Sequence, residues 1–255
     1  MTGFFNDRVA LITGAAGDIG QAIGRGLALR GTRIVLIDLD QSTLDRVAIA
    51  DESRTLKINA DVTDETSMRS AFDTAIAWGG RLDMLVNSAG IEGPIAPMTD
   101  YTVADFRKIL DINVVGTFLG MKLALPLMLA QQRGSIVNLA STAGLRGSPD
   151  VAGYIASKHA VIGLTRAAAV EVAGTGIRIN CVCPGSVAGE MTRRIARGRN
   201  ASDPAASLKR MAERNPMGRQ ADPSEIAAVA NFLLSDEASF VTGAAYTVDG
   251  GRTAL

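Results

Sequence analysis

The stretch that decides the fold is Val9-Ala-Leu-Ile-Thr-Gly-Ala-Ala-Gly-Asp-Ile-Gly20. Its apolar start, Val9–Thr13, predicts a buried strand, and a helical pattern follows from about Ile19. The glycines between strand and helix let the backbone turn tightly and approach a pyrophosphate. The start of the helix supplies free N–H groups and the positive end of its dipole. Such a turn favours a dinucleotide site but is also compatible with an ordinary connection.

Short apolar runs recur along the chain, separated by longer stretches with helical periodicity. The runs show little alternation, which is typical of strands buried on both faces of a parallel sheet. This order predicts an α/β fold with a doubly wound sheet flanked by helices, and 255 residues predict a single domain, 1–255. The predicted strands are Val9–Thr13, Arg33–Asp38, Leu56–Asn59, Met84–Asn87, Ser135–Leu139, Arg178–Val182 and Ala245–Val248. The predicted helices are about Ile19–Arg30, Ser67–Trp78, Val103–Leu129, Tyr154–Ala173 and Ser224–Leu234.

The composition argues against several classes of function. Lys plus Arg and Asp plus Glu both total 26, so the net charge is zero, and aromatic residues make up 4%. Such a chain lacks the basic or base-stacking surface of a nucleic-acid-binding protein and the charge that attracts an anionic membrane. The segment Met1–Arg8 lacks a signal-peptide pattern, and no run of 18 or more apolar residues occurs. We therefore expect a cytoplasmic protein that binds neither nucleic acid nor membrane.

Two cysteines, Cys181 and Cys183, lie in Arg178-Ile-Asn-Cys-Val-Cys-Pro184. They are too few for a zinc site, and no metal is predicted. We expect both to be free, buried and directed to opposite faces of a strand.

The second predicted strand ends at an acidic residue, Asp38. A carboxylate at this place can accept hydrogen bonds from the adenosine ribose hydroxyls, and its charge repels a 2′-phosphate. Asp38 therefore favours NAD over NADP. The alternative is a turn or helix N-cap Asp before Gln41-Ser-Thr-Leu.

Tyr154 and Lys158, in Tyr154-Ile-Ala-Ser-Lys158, are four residues apart and share a helix face. A free phenol has a pKa near 10, and a nearby ammonium together with an oxidised nicotinamide ring is expected to lower it. The phenol could then exchange a proton with an alcohol while hydride moves at the neighbouring carbon. Taken alone, the pair is more often two surface residues.

Three other polar residues accompany this pair. Ser141 follows the fifth predicted strand and could hold the substrate oxygen beside the phenol. Asn113 interrupts an apolar helical pattern, where it could bend the helix, order a water that relays protons to Lys158, or face solvent. Asn87, in Asn87-Ser-Ala-Gly90, begins a turn of small residues that suits either close contact with a cofactor or an ordinary turn.

Taken in order, these residues resemble the short-chain dehydrogenase/reductase family over essentially the whole chain. The resemblance implies a Rossmann fold with a seven-stranded parallel sheet, and a homotetramer paired through two long helices and through the last strand with its neighbouring helix. It implies that Ser141, Tyr154 and Lys158 are catalytic, with Asn113 as a fourth member. The motifs that carry it are the glycine turn, Asp38, Asp61-Val62, Asn87-Ser-Ala-Gly90, Asn113, Ser141, Tyr154, Lys158, Pro184-Gly185 and Val248-Asp-Gly-Gly251. The cofactor contacts implied are Gly14, Asp18, Ile19, Gly20, Asp38, Asp61, Val62, Asn87, Ala89, Gly90, Tyr154, Lys158, Pro184, Gly185, Val187 and Thr192.

Two positions depart from the family pattern. Asp18 stands where the middle glycine of the turn is usual, and we predict that it binds the cofactor through its N–H, with its carboxylate turned away or capping the helix. Gly189 stands where a threonine is usual after Pro184-Gly185. Either Thr192 makes the cofactor contact that this threonine usually makes, or that contact is lost.

The polar, arginine-rich segment 188–216 follows the sixth strand, and we expect it to form a mobile helical lid over the substrate. The alternative is a solvated surface insertion. Arg146 could clamp a carboxylate, sulfonate or phosphate, or could be solvated, and Glu92 could bond a second hydroxyl. These side chains favour a small polar alcohol, polyol, sugar or hydroxy acid. The substrate-facing candidates are Glu92, Arg146, Ser148, Glu190, Met191 and Arg193, with Ser141 and Tyr154.

Three functions therefore remain open. The first is an NAD-dependent dehydrogenase that interconverts a small polar secondary alcohol and its ketone. The second is an NADP-dependent carbonyl or 3-oxoacyl-carrier-protein reductase on the same scaffold. The third is a dinucleotide-binding module without catalytic activity, against which the set of Ser141, Tyr154 and Lys158 argues.

Overall fold

A seven-stranded parallel sheet forms the centre of the fold in the computed structural model, which describes residues 5–254. The sheet order is β3-β2-β1-β4-β5-β6-β7, so the chain reverses its winding direction between β1 and β4. In a doubly wound sheet, that reversal opens a crevice at the carboxyl ends of the strands. The strands are β1 (Val9–Thr13), β2 (Arg33–Asp38), β3 (Thr55–Asn59), β4 (Met84–Asn87), β5 (Gly134–Leu139), β6 (Ile177–Pro184) and β7 (Ala245–Val248).

Helices cover both faces of this sheet, which confirms the predicted doubly wound architecture. All five residues of β1 are buried, and they alternate between two hydrophobic cores: Ala10 and Ile12 face one, Val9 and Leu11 the other. Burial on both faces explains why the strands read as unbroken apolar runs. The helices are α1 (Asp18–Ala28), α2 (Gln41–Asp45), α3 (Glu65–Gly79), α4 (Val103–Leu110), α5 (Gly116–Gln131), α6 (Ala152–Glu171), α7 (Glu190–Arg199), α8 (Pro204–Glu213) and α9 (Pro223–Leu234).

The helix predicted at Val103–Leu129 is interrupted by a π-helical turn. The turn occupies Asp111–Val115, between α4 and α5, and contains the buried Asn113. The whole stretch Val103–Gln131 is long and apolar enough to cross a membrane by length and composition alone, although no such helix was expected. Of its most apolar window, 44% is buried inside the fold, and one such helix is weak evidence for a membrane span.

The predicted geometry of the two cysteines was wrong in one respect. Residues two apart in a strand point to the same face, and Cys181 and Cys183 both pack in a small cluster with Val161 and Ile162. Both thiols are free and buried, as expected.

The segment predicted as a lid contains the two helices α7 and α8, which pack against each other. Asp203 caps α8 through its side chain, and Pro204 begins that helix, a common pairing at a helix start. By contrast, α7 begins after Gly189, which has no side chain to cap it. The start of α7 therefore depends on a partner from elsewhere in the chain.

Candidate functional site

A cleft of about 1010 Å³ lies at the carboxyl ends of the strands, the place where doubly wound sheets bind ligands. It brings together residues that are more than 200 positions apart, from Gly14 to Arg252. Most of the predicted cofactor and catalytic residues line it: Gly14, Asp18, Ile19, Asp38, Asp61, Val62, Ala89, Gly90, Ser141, Tyr154, Lys158, Pro184, Gly185, Val187 and Thr192. Of the substrate candidates, Arg146, Ser148, Glu190 and Met191 line it as well. Five predicted residues lie outside the lining: Gly20, Asn87, Asn113, Glu92 and Arg193.

The glycines of the turn after β1 let it pack closely against neighbouring backbone. Gly14 has a φ of 61°, and a Cβ there would lie 2.5 Å from the backbone of Ala89. A Cβ on Gly20 would lie 2.5 Å from the carbonyl oxygen of Gly14, so Gly20 permits close packing of the turn. Because α1 begins with no side-chain cap, its first N–H groups remain available for a pyrophosphate. These features fit a nicotinamide dinucleotide.

The two departures from the family pattern contact each other. The N–H of Glu190 donates a hydrogen bond of 2.8 Å to Oδ2 of Asp18. A Cβ on Gly189 would lie 2.3 Å from the same oxygen. The Asp18 carboxylate therefore caps α7, and it reaches that helix because residue 189 has no side chain.

Asp38 holds the glycine turn from the end of β2. Its Oδ2 accepts from the N–H of Ala16 at 2.9 Å and its Oδ1 from that of Leu39 at 2.8 Å. The N-cap of α2 is a different residue, Asp40, which accepts from Ser42, so the helix-cap alternative for Asp38 is wrong. Each carboxylate oxygen can accept a second hydrogen bond, which leaves Asp38 free to bind ribose hydroxyls.

The proton-handling residues meet where β5 ends against α6. The ammonium of Lys158 donates to the carbonyl of Leu139 at 2.7 Å and lies 5.5 Å from the centroid of the Tyr154 ring. The Ser141 hydroxyl accepts from the N–H of Ala143 at 3.1 Å, which orients it at the end of the strand. The phenol, the ammonium and the hydroxyl thus share one end of the cleft.

The protein groups around Tyr154 and Lys158 shift the pKa of both side chains away from their ordinary values. Burial raises the pKa of Tyr154 to about 12, and contact with the Ser141 hydroxyl acts in the opposite direction but is outweighed. The Glu92 carboxylate adds a smaller increase. Burial lowers the pKa of Lys158 to about 8. Among the protein groups alone, loss of water around the phenol therefore outweighs its polar neighbours, and the predicted lowering, which includes the nicotinamide ring, stays a prediction.

Asn113 and Asn87 are buried outside the cleft lining and bind neighbouring segments of the chain. Asn113 accepts from the N–H of Ile91 at 2.8 Å and donates to the carbonyl of Ile91 and to the Ser157 hydroxyl, both at 2.9 Å. Asn113 therefore fixes the position of the chain after β4, and the π-turn directs the Asn113 side chain toward that segment. Asn87 donates to Asn138 at 2.8 Å inside the core. Neither residue is part of the cleft lining.

Two of the substrate candidates are engaged elsewhere. Glu92 is buried outside the cleft lining, and both of its carboxylate oxygens bind Arg194. Arg193 is exposed and binds Glu190 at 2.8 Å, outside the cleft lining. Conversely, Arg199 and Arg252 line the cleft but were not predicted, because no motif surrounds them and only the tertiary fold brings them there. Within residues 5–254, no group of three His, Cys, Asp or Glu side chains is placed to bind a metal.

Comparison with known protein sequences places the chain among oxidoreductases. The family model described as enoyl-(acyl carrier protein) reductase matches residues 14–253. Levodione reductase from Leifsonia aquatica is 38% identical over 98% of this chain and 96% of its own length. The 2-(S)-hydroxypropyl-CoM dehydrogenase 3 from Xanthobacter autotrophicus is 41% identical over 100% of both chains. Cis-4-hydroxycyclohexanecarboxylate dehydrogenase from Sinomonas cyclohexanicum is 43% identical over 98% of both.

Solved structures agree with this placement. Levodione reductase superposes with a TM-score of 0.95 at 36% identity, over 98% of this chain and 99% of that one. NAD+-bound xylitol dehydrogenase gives 0.92 at 36% identity, over 97% and 99%. ElxO with NADP bound gives 0.89 at 32% identity, over 97% and 99%. Neighbours of this fold thus bind either nicotinamide dinucleotide.

Proposed function

This chain belongs to the short-chain dehydrogenase/reductase family, and from that membership we propose that it is an NAD(H)-dependent dehydrogenase. Its reaction interconverts a small polar secondary alcohol and its ketone. The observation that carries the proposal is the meeting of Ser141, Tyr154 and Lys158 in one cleft with Asp38. A dinucleotide-binding module without activity has no use for that set.

Each residue has a chemical task in this proposal. Bound NAD supplies the hydride acceptor at its nicotinamide ring. The Ser141 hydroxyl holds the substrate oxygen. The Tyr154 phenolate takes the alcohol proton during oxidation, and the resulting phenol returns it during reduction. Lys158 is held against Leu139, where its charge favours the phenolate that oxidation requires.

The preference for NAD rests on Asp38. Its carboxylate lines the cleft at the end of β2, and its charge opposes a 2′-phosphate. Its hydrogen bond to Ala16 also ties it to the glycine turn, so the charge is held at a fixed place.

The substrate class rests on the polar wall of the cleft, to which Arg146 and Ser148 contribute. Relatives are named for cyclohexanol and for cis-4-hydroxycyclohexanecarboxylate, and a structural neighbour is named for xylitol. These are secondary alcohols or a polyol, and they support a polyol, sugar or hydroxy acid as substrate. We further propose a cytoplasmic homotetramer, as the family resemblance implies.

The test is an absorbance screen at the NADH band with secondary alcohols, polyols, sugars and hydroxy acids, with NAD and NADP run in parallel. We expect turnover with NAD, at least tenfold weaker with NADP, and a loss of at least a thousandfold in Tyr154→Phe with NADH binding retained. Preference for NADP with carbonyl or acyl-carrier-protein substrates would support the second function. Unchanged turnover in Tyr154→Phe would refute the mechanism.

A further inference from the structure

Four arginines from four separate segments come together at one end of the cleft. Arg146 follows β5, Arg199 ends α7, Arg214 follows α8, and Arg252 follows β7. Arg146, Arg199 and Arg252 line the cleft, and the charges of the other three all act on Arg252. We call these four residues the arginine cluster.

The arginine cluster lacks carboxylate partners in the described part of the chain. None of its members forms a salt bridge with any residue in 5–254. The hydrogen bond of Arg199 Nη2 to the Ser148 hydroxyl is long, at 3.3 Å. By contrast, Arg194, which lies five residues before Arg199 in the same helix, binds the Glu92 carboxylate through two nitrogens.

The negative charges of two carboxylates, Asp249 and Asp150, act on arginines of the cluster without direct contact. The Asp249 carboxylate already accepts hydrogen bonds from its own loop. Asp249 accepts from the N–H of Gly251 at 3.0 Å and from the N–H and hydroxyl of Thr253 at 2.9 and 2.6 Å. Asp150, which acts on Arg199, is exposed on a loop with a φ of 65°. Neither forms an ion pair with the cluster, so its positive charge is left largely unbalanced.

Burial makes this unbalanced charge costly. The Nε atoms of Arg199 and Arg252 are buried and have no hydrogen-bond partner among residues 5–254. Burial, followed by repulsion from the other three arginines, lowers the pKa of Arg252 to about 10. As whole residues Arg146, Arg199 and Arg252 are half-buried, and Arg214 is exposed. Guanidinium nitrogens that lose water without gaining a partner are unfavourable unless an anion satisfies them, and planar guanidinium forks match carboxylate, sulfonate and phosphate oxygens.

The position of the cluster separates it from the adenosine end of the cleft. Its segments follow β5 and β7 and end α7 and α8, whereas Asp38 ends β2 and the glycine turn follows β1. In the sheet order, β5, β6 and β7 lie on the opposite side from β2 and β3. Arg146 belongs to the same segment as Ser141, which places the cluster on the side of the proton-handling residues.

We propose that the arginine cluster binds an anionic group of the substrate, a carboxylate, sulfonate or phosphate, while the carbinol carbon lies at Tyr154. The substrate is therefore a secondary alcohol with a strong anion at its far end. This inference rests on the proposed dehydrogenase function and narrows its substrate class.

The test compares matched substrates and matched variants. Secondary alcohols are offered with NAD as carboxylate, sulfonate, phosphate ester and uncharged amide on the same carbon skeletons, including cis-4-hydroxycyclohexanecarboxylate and its amide. In wild type we expect kcat/KM at least tenfold higher for the best anion than for its amide, mainly through KM. The double variant R199Q/R252Q should lose tenfold to a hundredfold on the anion and stay within about twofold on the amide. Arg210→Gln, an exposed arginine outside the cleft lining, should change neither.

A second readout does not depend on turnover. Calorimetric titration of the NADH-loaded protein with methanesulfonate, acetate and inorganic phosphate should detect binding in wild type and none in R199Q/R252Q. Anion binding without turnover of any alcohol would refute the dehydrogenase and leave the anion site standing. Turnover with equal kcat/KM for anion and amide, and no anion binding, would refute the anion site alone. Weaker NADH binding in the double variant, with anion and amide equally affected, would assign the cluster to the cofactor and overturn the proposal.

Discussion

The contact between Asp18 and Gly189 can be tested by a double-mutant cycle. Asp18→Ala removes the acceptor for the N–H of Glu190, which lies 2.8 Å from Oδ2 in wild type. Gly189→Ala adds a Cβ that would lie 2.3 Å from that oxygen and 3.2 Å from the Asp18 Cβ. The carboxylate must then turn away, so each single variant loses the same cap of α7.

The magnitude follows from the chemistry of helix capping. Loss of a side-chain cap costs about 1 kcal/mol, and the attraction of a carboxylate to a helix N-terminus falls in the range of about 0.3–1 kcal/mol at an exposed site. We expect each single variant to lower the free energy of unfolding by about 1 kcal/mol. The double variant should lose about 1 kcal/mol as well, because the cap can be lost only once. The coupling energy is therefore about 1 kcal/mol.

The assay is urea unfolding of the four proteins, with the KM for NAD measured in parallel. Asp18→Asn is the matched control, since it keeps an acceptor oxygen and removes the charge, and it should lose less than Asp18→Ala. We also expect the KM for NAD to rise in both single variants, because α7 carries Thr192 and Glu190 along the cleft. Additive losses in the double variant, of about 2 kcal/mol, would show that the two residues do not act through one contact.

Three further predictions concern other parts of the site. Because Lys158 has a pKa of about 8 when folded and 10.5 ordinarily, its side chain binds more protons in the unfolded chain between these values, and its contribution to stability should rise from pH 8 to pH 10. Denaturant titrations should therefore show the free energy of unfolding of wild type rising relative to that of Lys158→Met over this range, and a constant difference would contradict the lowered pKa. Asp38→Asn keeps an acceptor for Ala16 but removes the charge, so we expect about a tenfold higher KM for NAD and improved use of NADP. Initial rates measured with both cofactors check this. An unchanged ratio of the rates with NAD and NADP would contradict the role given to Asp38. Asn113→Ala leaves the N–H and carbonyl of Ile91 without their partner and should lower the free energy of unfolding by about 2 kcal/mol. The milder control is Ser157→Ala, which loses the hydroxyl's bonds to Asn113 and to the Tyr154 carbonyl but keeps both bonds between Asn113 and Ile91. Denaturant titrations measure both losses, and equal losses would argue against the part assigned to Ile91.

Much of the fold could be predicted because a strand that is buried on both faces of the sheet needs apolar residues at nearly every position. The runs at Val9–Thr13 and Arg33–Asp38 match β1 and β2 to the residue, since a strand covered by helices on both sides must be apolar throughout. The strand at Arg178–Val182 was predicted too short, because the end of β6 includes Cys183 and Pro184, residues that do not extend an obvious apolar pattern.

The interruption at Asn113 shows where local pattern reasoning stops. The sequence shows a polar residue within a helical stretch, and three roles were open for it: to bend the helix, to order a water molecule, or to face solvent. The structure gives a π-turn with a buried side chain bound to Ile91 and Ser157. That outcome depends on which groups lie opposite the helix, and no pattern within the helix contains this information.

By itself, the sequence determined the doubly wound sheet, the glycine turn, the acidic end of β2 and the spacing of Tyr154 and Lys158, because each depends on residues close together in the chain. Only the tertiary structure decided what its charged side chains do. It turned Asp18 toward α7, paired Glu92 with Arg194, and gathered the arginine cluster from segments that end more than 100 residues apart. The sign and size of an electrostatic interaction depend on distance and on burial, and for residues far apart in sequence the folded chain alone fixes both.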